Sequence, residues 1–191
     1  IEPVFVDFGK DMSQGAVGKL PLLYKKNETN DLFTLQYIYD FGTAEMKEMG
    51  LAASYLDYLG TSDMSPAEIK LAFYNLACNY HISASKDRVV VGLNGLAENM
   101  PKAMELLEKV LADAQPNKEA YDGLVDDILR SRLNDKADQQ ANFRRLQTYT
   151  FYGANNPSNN ILGEAELRSM SPEALLQCIS QLSTMEHRVL Y

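Results

Sequence analysis

Histidine, cysteine and positive charge are all in short supply in this sequence, and each shortage removes a class of function. The only two histidines, His81 and His187, fall on or beside expected strands. Imidazoles that share a metal on one helix stand a turn apart, so a paired-histidine metal site is not expected. Two cysteines, Cys78 and Cys178, lie far apart in or beside apolar segments and read as buried free thiols rather than a disulfide, which leaves both the cell envelope or periplasm and the cytoplasm open. Lys and Arg number 18 against 26 Asp and Glu, a net charge of -8, and the cations look scattered along the chain. Nucleic acid and anionic membranes both demand a basic patch, so neither is expected as a partner. No apolar run approaches the ~20 residues of a membrane span, and no signal-peptide core opens the sequence, which reads as a soluble chain with no membrane insertion. Internal repeats and low-complexity tracts are missing too. So are the Gly-x-Ser-x-Gly elbow of a serine hydrolase and any phosphate loop, since Gly92-Leu93-Asn94-Gly95 lacks the Lys-Ser/Thr ending.

What is present is an ordinary globular composition, 46% hydrophobic and 23% charged over 191 residues, enough for one domain with a proper core. The expectation is a single domain over residues 1–191, with residues 1–20 as an N-terminal arm; the start at Ile1 suggests a piece excised from a longer, multi-domain chain. Apolar residues 22–25 and 32–39 read as strands, paired as a hairpin across Asn27-Glu28-Thr29-Asn30. A run of helix formers from Ala44 to Leu59 follows, stopped by Gly60. Ser65-Pro66-Ala67-Glu68 has the form of a capping box with proline at the first helical position. Residues 80–85 and 88–94 form a second candidate hairpin around Lys86-Asp87. Asn99 is placed to cap a helix to about Ala114, whose Met104, Leu107, Val110 and Leu111 make a stripe that belongs in the core. After Gln115-Pro116-Asn117 comes a long helix with Leu124, Ile128 and Leu129, then a second helical stretch holding Phe143, Leu146 and Tyr149. A polar loop over residues 153–160, a short helix near Glu164, a helix started by Ser171-Pro172-Glu173 and a last strand over residues 188–191 complete the chain. This order predicts an α+β fold: a two-layer sandwich of one antiparallel sheet with helices on one face.

The segment after the strand at 32–39 carries the most information. A glycine turn, Glu45, Gly50-Leu51-Ala52, a helix, and Gly60-Thr61 occur in that order, and the arrangement resembles the insulinase/pitrilysin (inverzincin) family of zinc metallopeptidases. Active domains of that family carry His-x-x-Glu-His on this helix, where two imidazoles hold zinc and the Glu serves as base for its water. Two registers fit: Gly50 as anchor puts Ala53, Leu56 and Asp57 at the His, Glu and His positions, and Gly60-Thr61 puts Leu51, Ser54 and Tyr55 there. Neither leaves a histidine or a glutamate, and a lone Asp57 is no zinc site.

The resemblance therefore implies a non-catalytic peptidase domain, with no catalytic residue, metal ligand or cofactor of its own and zinc in another domain of the parent. Its implied partners are other domains or subunits of the same peptidase and a peptide substrate. Leu51, Ser54, Tyr55, Asp57 and Tyr58, on or beside the degenerate face, are the candidate peptide contacts, with core packing as the competing reading for the tyrosines. Downstream, where active members place a further Glu ligand, Asp122, Asp126 and Asp127 read as a solvated helix face. The alternative function is a structural or assembly module of the same fold without peptidase work. A site built on Ser83 or Ser85 with His81, or on Cys78, is the weakest reading, because nothing in sequence supplies its geometry.

Overall fold

The computed structural model describes residue 5, residues 7–156 and residues 159–191. Val4 and Val6 of the N-terminal arm, and Pro157 and Ser158 of the polar loop, lie outside the described residues. Six strands form one sheet: β1 (Ser13–Val17), β2 (Leu20–Tyr24), β3 (Leu32–Tyr39), β4 (Cys78–Ala84), β5 (Val89–Leu96) and β6 (Arg188–Leu190), in the order β1-β2-β6-β3-β5-β4. Seven α-helices are described: α1 (Glu48–Leu56), α2 (Pro66–Asn75), α3 (Met100–Asp113), α4 (Lys118–Ala137), α5 (Gln139–Tyr152), α6 (Glu164–Ser169) and α7 (Pro172–Gln181).

Strand alternation assigns the two faces. Ile82, Val91, Tyr37, Val189 and Leu22 are aligned neighbours on β4, β5, β3, β6 and β2, and this row packs into the core. Thr34 on β3, Asn79, His81 and Ser83 on β4 and Asn94 on β5 point the other way and are exposed. The helices therefore cover one face, as an α+β two-layer fold requires. The buried core is drawn wholly from this chain: Met49 and Leu56 of α1, Phe73 of α2, Leu107 of α3, Tyr121 of α4, Leu167 of α6, and Leu175 and Ile179 of α7 join the strand row.

Three sheet expectations need correction. The residues at 22–25 and 32–39 are strands but do not form a hairpin, because β6 lies between them, antiparallel to β3 and parallel to β2. One pair of the sheet is therefore parallel, and the fully antiparallel sheet is replaced by a mixed one. The connection has its own support: the Asn27 side chain accepts from the Thr29 and Asn30 amides and donates to Leu32 O. A loop closed by such local bonds can cross a neighbouring strand, whose spacing is only ~4.8 Å. The arm over residues 1–20 also contains a strand, since β1 pairs with β2 across Gly18-Lys19, where Gly18 adopts φ +61°. The second hairpin, β4 with β5, forms as its alternation predicts.

Helix boundaries shift for identifiable reasons. The organising helix was expected from Ala44, yet α1 starts at Glu48. The Thr43 and Ala44 amides donate to Ser85 O and Lys86 O on the β4–β5 turn, the Met46 amide donates to Gly42 O, and the Glu45 carboxylate accepts from the Gly42 amide. The first turn is thereby held open. Gly42 is required there, since a Cβ would stand 2.3 Å from Ser85 O. At its other end α1 stops at Leu56, four residues before Gly60. Gly60 instead permits close approach of the next loop, a Cβ there lying 2.3 Å from Met64 O. Asn99 does not cap α3; its side chain donates to Leu76 O at the end of α2.

Ser65 caps α2 as the sequence indicated, with both halves of the capping box formed. Ser65→Ala removes the acceptor for the Glu68 amide, and we expect a loss of about 1 kcal/mol, read as a lower urea midpoint with unchanged m-value.

Candidate functional site

Packing divides the face of α1 that would carry a metal motif. Leu51, Ala53, Tyr55 and Leu56 are buried, whereas Ser54, Asp57 and Tyr58 are exposed. Tyr55 is fully covered and its ring meets Tyr121 of α4 edge-on, centroids 5.5 Å apart. Its hydroxyl donates to Asn117 O at 2.7 Å and accepts from the Asn117 amide at 2.8 Å, joining α1 to the cap of α4. Burial raises the Tyr55 phenol above its usual range, against a lowering from the Asn117 hydrogen bond. The Ser54 hydroxyl donates to Gly50 O. Desolvation raises the Asp57 carboxyl, and the charge of Lys70 opposes it.

Zinc is the metal that the resemblance implies, and the donors here do not fit it. One register supplies Ala53, Leu56 and Asp57, the other Leu51, Ser54 and Tyr55, so neither presents the three nitrogen, sulfur or carboxylate donors that zinc takes from protein. Nor can the two histidines combine. His81 stands on the open face of β4, its ring over Gly92, where a Cβ would come within 2.1 Å of it. His187 lies on the helical face, its ring 4.9 Å from that of Tyr39 and 5.3 Å from that of Tyr37. Among the described residues no three His, Cys, Asp or Glu side chains converge on a metal-sized position. Asp122, Asp126 and Asp127 are exposed and paired with Lys118, Arg168 and Arg130.

The nucleophile candidates are structural as well. Ser85 donates its hydroxyl to Asp87 and Arg88 O within the β4–β5 turn. Cys78 is a buried free thiol raised by burial, and it donates to Leu76 O. Cys178 is also free, half-buried and raised by desolvation.

One feature of the site has no motif. A cleft of about 330 Å³ opens between α3 and the strands β2, β3 and β6, walled by Leu22, Leu35, Met104 and Leu111 with Tyr37 and Glu108 at its polar side. Met104 and Leu111 belong to the stripe expected in the core; only Leu107 and Val110 of that stripe are buried there. The Tyr37 hydroxyl donates to Glu108 at 3.4 Å. Burial, then the Glu108 charge, pushes the Tyr37 phenol up to about 12 and Tyr39 higher still. Both phenols stay protonated at neutral pH, and the lining of Leu22, Leu35, Met104 and Leu111 suits an apolar group. The signal was in the sequence as alternating Leu20, Leu22, Leu35 and Tyr37, but alternation does not say whether a helix covers them.

The two sets of α1 residues should separate on mutation. Tyr55→Phe strands the Asn117 amide, while Asn117 O keeps the Tyr121 amide, and should cost about 1–2 kcal/mol in chemical denaturation, while Asp57→Ala should stay within about 0.5 kcal/mol.

No family model and no curated relative matches the sequence. Solved structures do match. The inactive domain of an M16 peptidase from Pseudomonas fluorescens superposes with TM-score 0.73 and 14% identity, over 94% of this chain and 45% of that one. The ferredoxin protease FusC, solved in complex with Arabidopsis ferredoxin, gives TM-score 0.75 and 14% identity over 99% of this chain and 21% of that one. The periplasmic protease PqqL from Escherichia coli gives 0.71 and 13% over 97% and 23%. This chain spans less than half the length of each of those solved chains. Its six-stranded sheet, its one-sided helical layer and the helix that follows β3 are thus the fold of M16 peptidase domains, the insulinase/pitrilysin-like fold that the sequence resembles.

Proposed function

We propose that this chain is a non-catalytic domain of a zinc-dependent M16-type peptidase, forming part of the wall of its peptide-binding chamber while another domain holds the zinc and hydrolyses the peptide. The observation that carries the reading is the content of α1: at the position of the metal motif, on a fold shared with an M16 inactive domain, stand residues that pack or face solvent and cannot bind zinc. Water activation needs a metal that brings the water's pKa near ~7, and this division of labour assigns that task elsewhere. What remains to this domain is shape and contact. A peptide held between two domains gains rate through positioning, without any catalytic side chain from the second.

Ser54, Asp57 and Tyr58 are the members of the degenerate face that a peptide can reach, Leu51 and Tyr55 being in the core. The cleft beside α3 is a second place suited to an apolar side chain.

Three samples test the reading against an unstructured peptide, each with and without chelator: this chain, the remainder of the native polypeptide, and the two joined. We expect cleavage only by the joined form and only with metal. Hydrolysis by this chain that survives chelator would contradict the proposal, full activity of the remainder alone would remove any necessary role for this domain, and an inert joined form would favour the structural module. In the joined form, Tyr58→Ala should raise KM about three- to tenfold, on the order of 1 kcal/mol, with kcat little changed.

A further inference from the structure

Helix α5 has 14 residues, none of them buried. Its Phe143, Leu146, Tyr149, Phe151 and Tyr152 are each more than half exposed, as is Ile161, which lines a cleft with Leu146 and Tyr149. A helix of this length is marginal in water by itself and owes most of its stability to packing of an apolar face. Here the apolar residues face outward. Contiguous exposed apolar surface of this kind marks an interaction site.

Its charge is unlike that of the chain. From the end of α4 through α5 stand Arg132, Lys136, Arg144 and Arg145 against Asp135 and Asp138, whereas the whole chain carries -8; Arg130, just before them, is paired with Asp127. Basic residues that look scattered in sequence are thus gathered here. Arg132, Lys136, Arg144 and Arg145 border a cleft of about 940 Å³ between the end of α4 and α5, with Asp135 and Tyr149 also in its lining. Arg145 pairs with Asp135 at 3.5 Å, and Arg132 donates to the neutral Leu162 O. Among the described residues Lys136 and Arg144 have no carboxylate in ion-pair reach.

From these observations we infer that the α4–α5 hairpin is a docking surface for an acidic face, with apolar residues at its centre, on another domain of the same peptidase. Arginine and aromatic side chains together are what buried interface centres favour. A second copy of this chain fits poorly, because a two-fold contact centred on the patch would set basic residues against themselves. An anionic membrane would repel the rest of this acidic chain. The choice of partner rests on the proposed function, because the solved chains of this fold extend well beyond the region matched here.

Hydrogen exchange tests it, comparing residues 139–152 in the native full-length polypeptide with the same residues in the isolated chain, whose core is self-contained. β3 and β5 serve as internal reference. We expect exchange at 139–152 to be slowed at least about tenfold in the full-length protein, with β3 and β5 alike in both. The double variant Arg144→Glu/Arg145→Glu should lose that protection, and 0.5 M salt should weaken it. Equal exchange in both samples overturns the inference. So does protection that charge reversal leaves intact, that grows with concentration of the isolated chain, or that requires anionic vesicles. Peptide cleavage is read in parallel: a full-length protein that cleaves but leaves α5 unprotected sinks this inference alone, and one that protects α5 but does not cleave sinks only the proposed function.

Discussion

The sheet is closed at its centre by its last strand. β6 is three residues long, yet it is the strand that joins β1 and β2 to β3, β5 and β4, with Val189 between Leu22 and Tyr37. The Lys25 amide donates to Tyr191 O and the Tyr191 amide to Leu23 O, which continues the parallel pairing past the strand itself. Arg188 reaches Asp40 at the end of β3, and the rings of Tyr24 and Tyr191 stand 5.2 Å apart. Pairing of residues so distant in sequence carries a loop-closure cost, which the packing of the helical layer in between has to offset. The cleft beside α3 lies over this junction, where β2, β6 and β3 meet under an incomplete helical roof.

α1 shows how one frame can serve two chemistries. The turn that delivers the helix is fixed by Gly42, Glu45 and the β4–β5 turn, independently of what the helix displays. On that support an inward position can hold either a polar ligand or a packing group. Here Tyr55 turns inward and uses its hydroxyl to hold Asn117, so it serves as a joint between α1 and α4. A buried phenol so bonded is satisfied and stays protonated, which suits a fastening and not a base.

Local rules in the sequence located the elements well. Ser65-Pro66-Ala67-Glu68, Asn117 and Ser171-Pro172 each begin a helix where expected, because a cap depends only on residues within one turn. Alternation in residues 80–85 and 88–94 likewise yielded the β4–β5 hairpin. What was illegible depended on distant partners. Nothing in residues 20–39 indicates that β6 separates β2 from β3, and sequential strands pair often enough that a hairpin is the natural expectation. Asn99 looked like a cap but answers to Leu76 O. At α1 the absence of imidazoles can be read from letters alone, whereas the burial of Leu51 and Tyr55 and the exposure of Tyr58 follow from how α4 and α7 pack on α1.

α5 exposes Phe143, Leu146, Tyr149, Phe151 and Tyr152, and Ser54, Asp57 and Tyr58 are exposed on and just after α1. The central claim is that peptide contact and metal chemistry reside in different domains of one protein. A structure of the full-length polypeptide with a bound peptide and zinc tests it most directly. The account predicts zinc ligated wholly outside residues 1–191 and peptide within contact distance of side chains from this chain. Zinc held by any residue of this chain, or a peptide that touches none of it, would contradict the account.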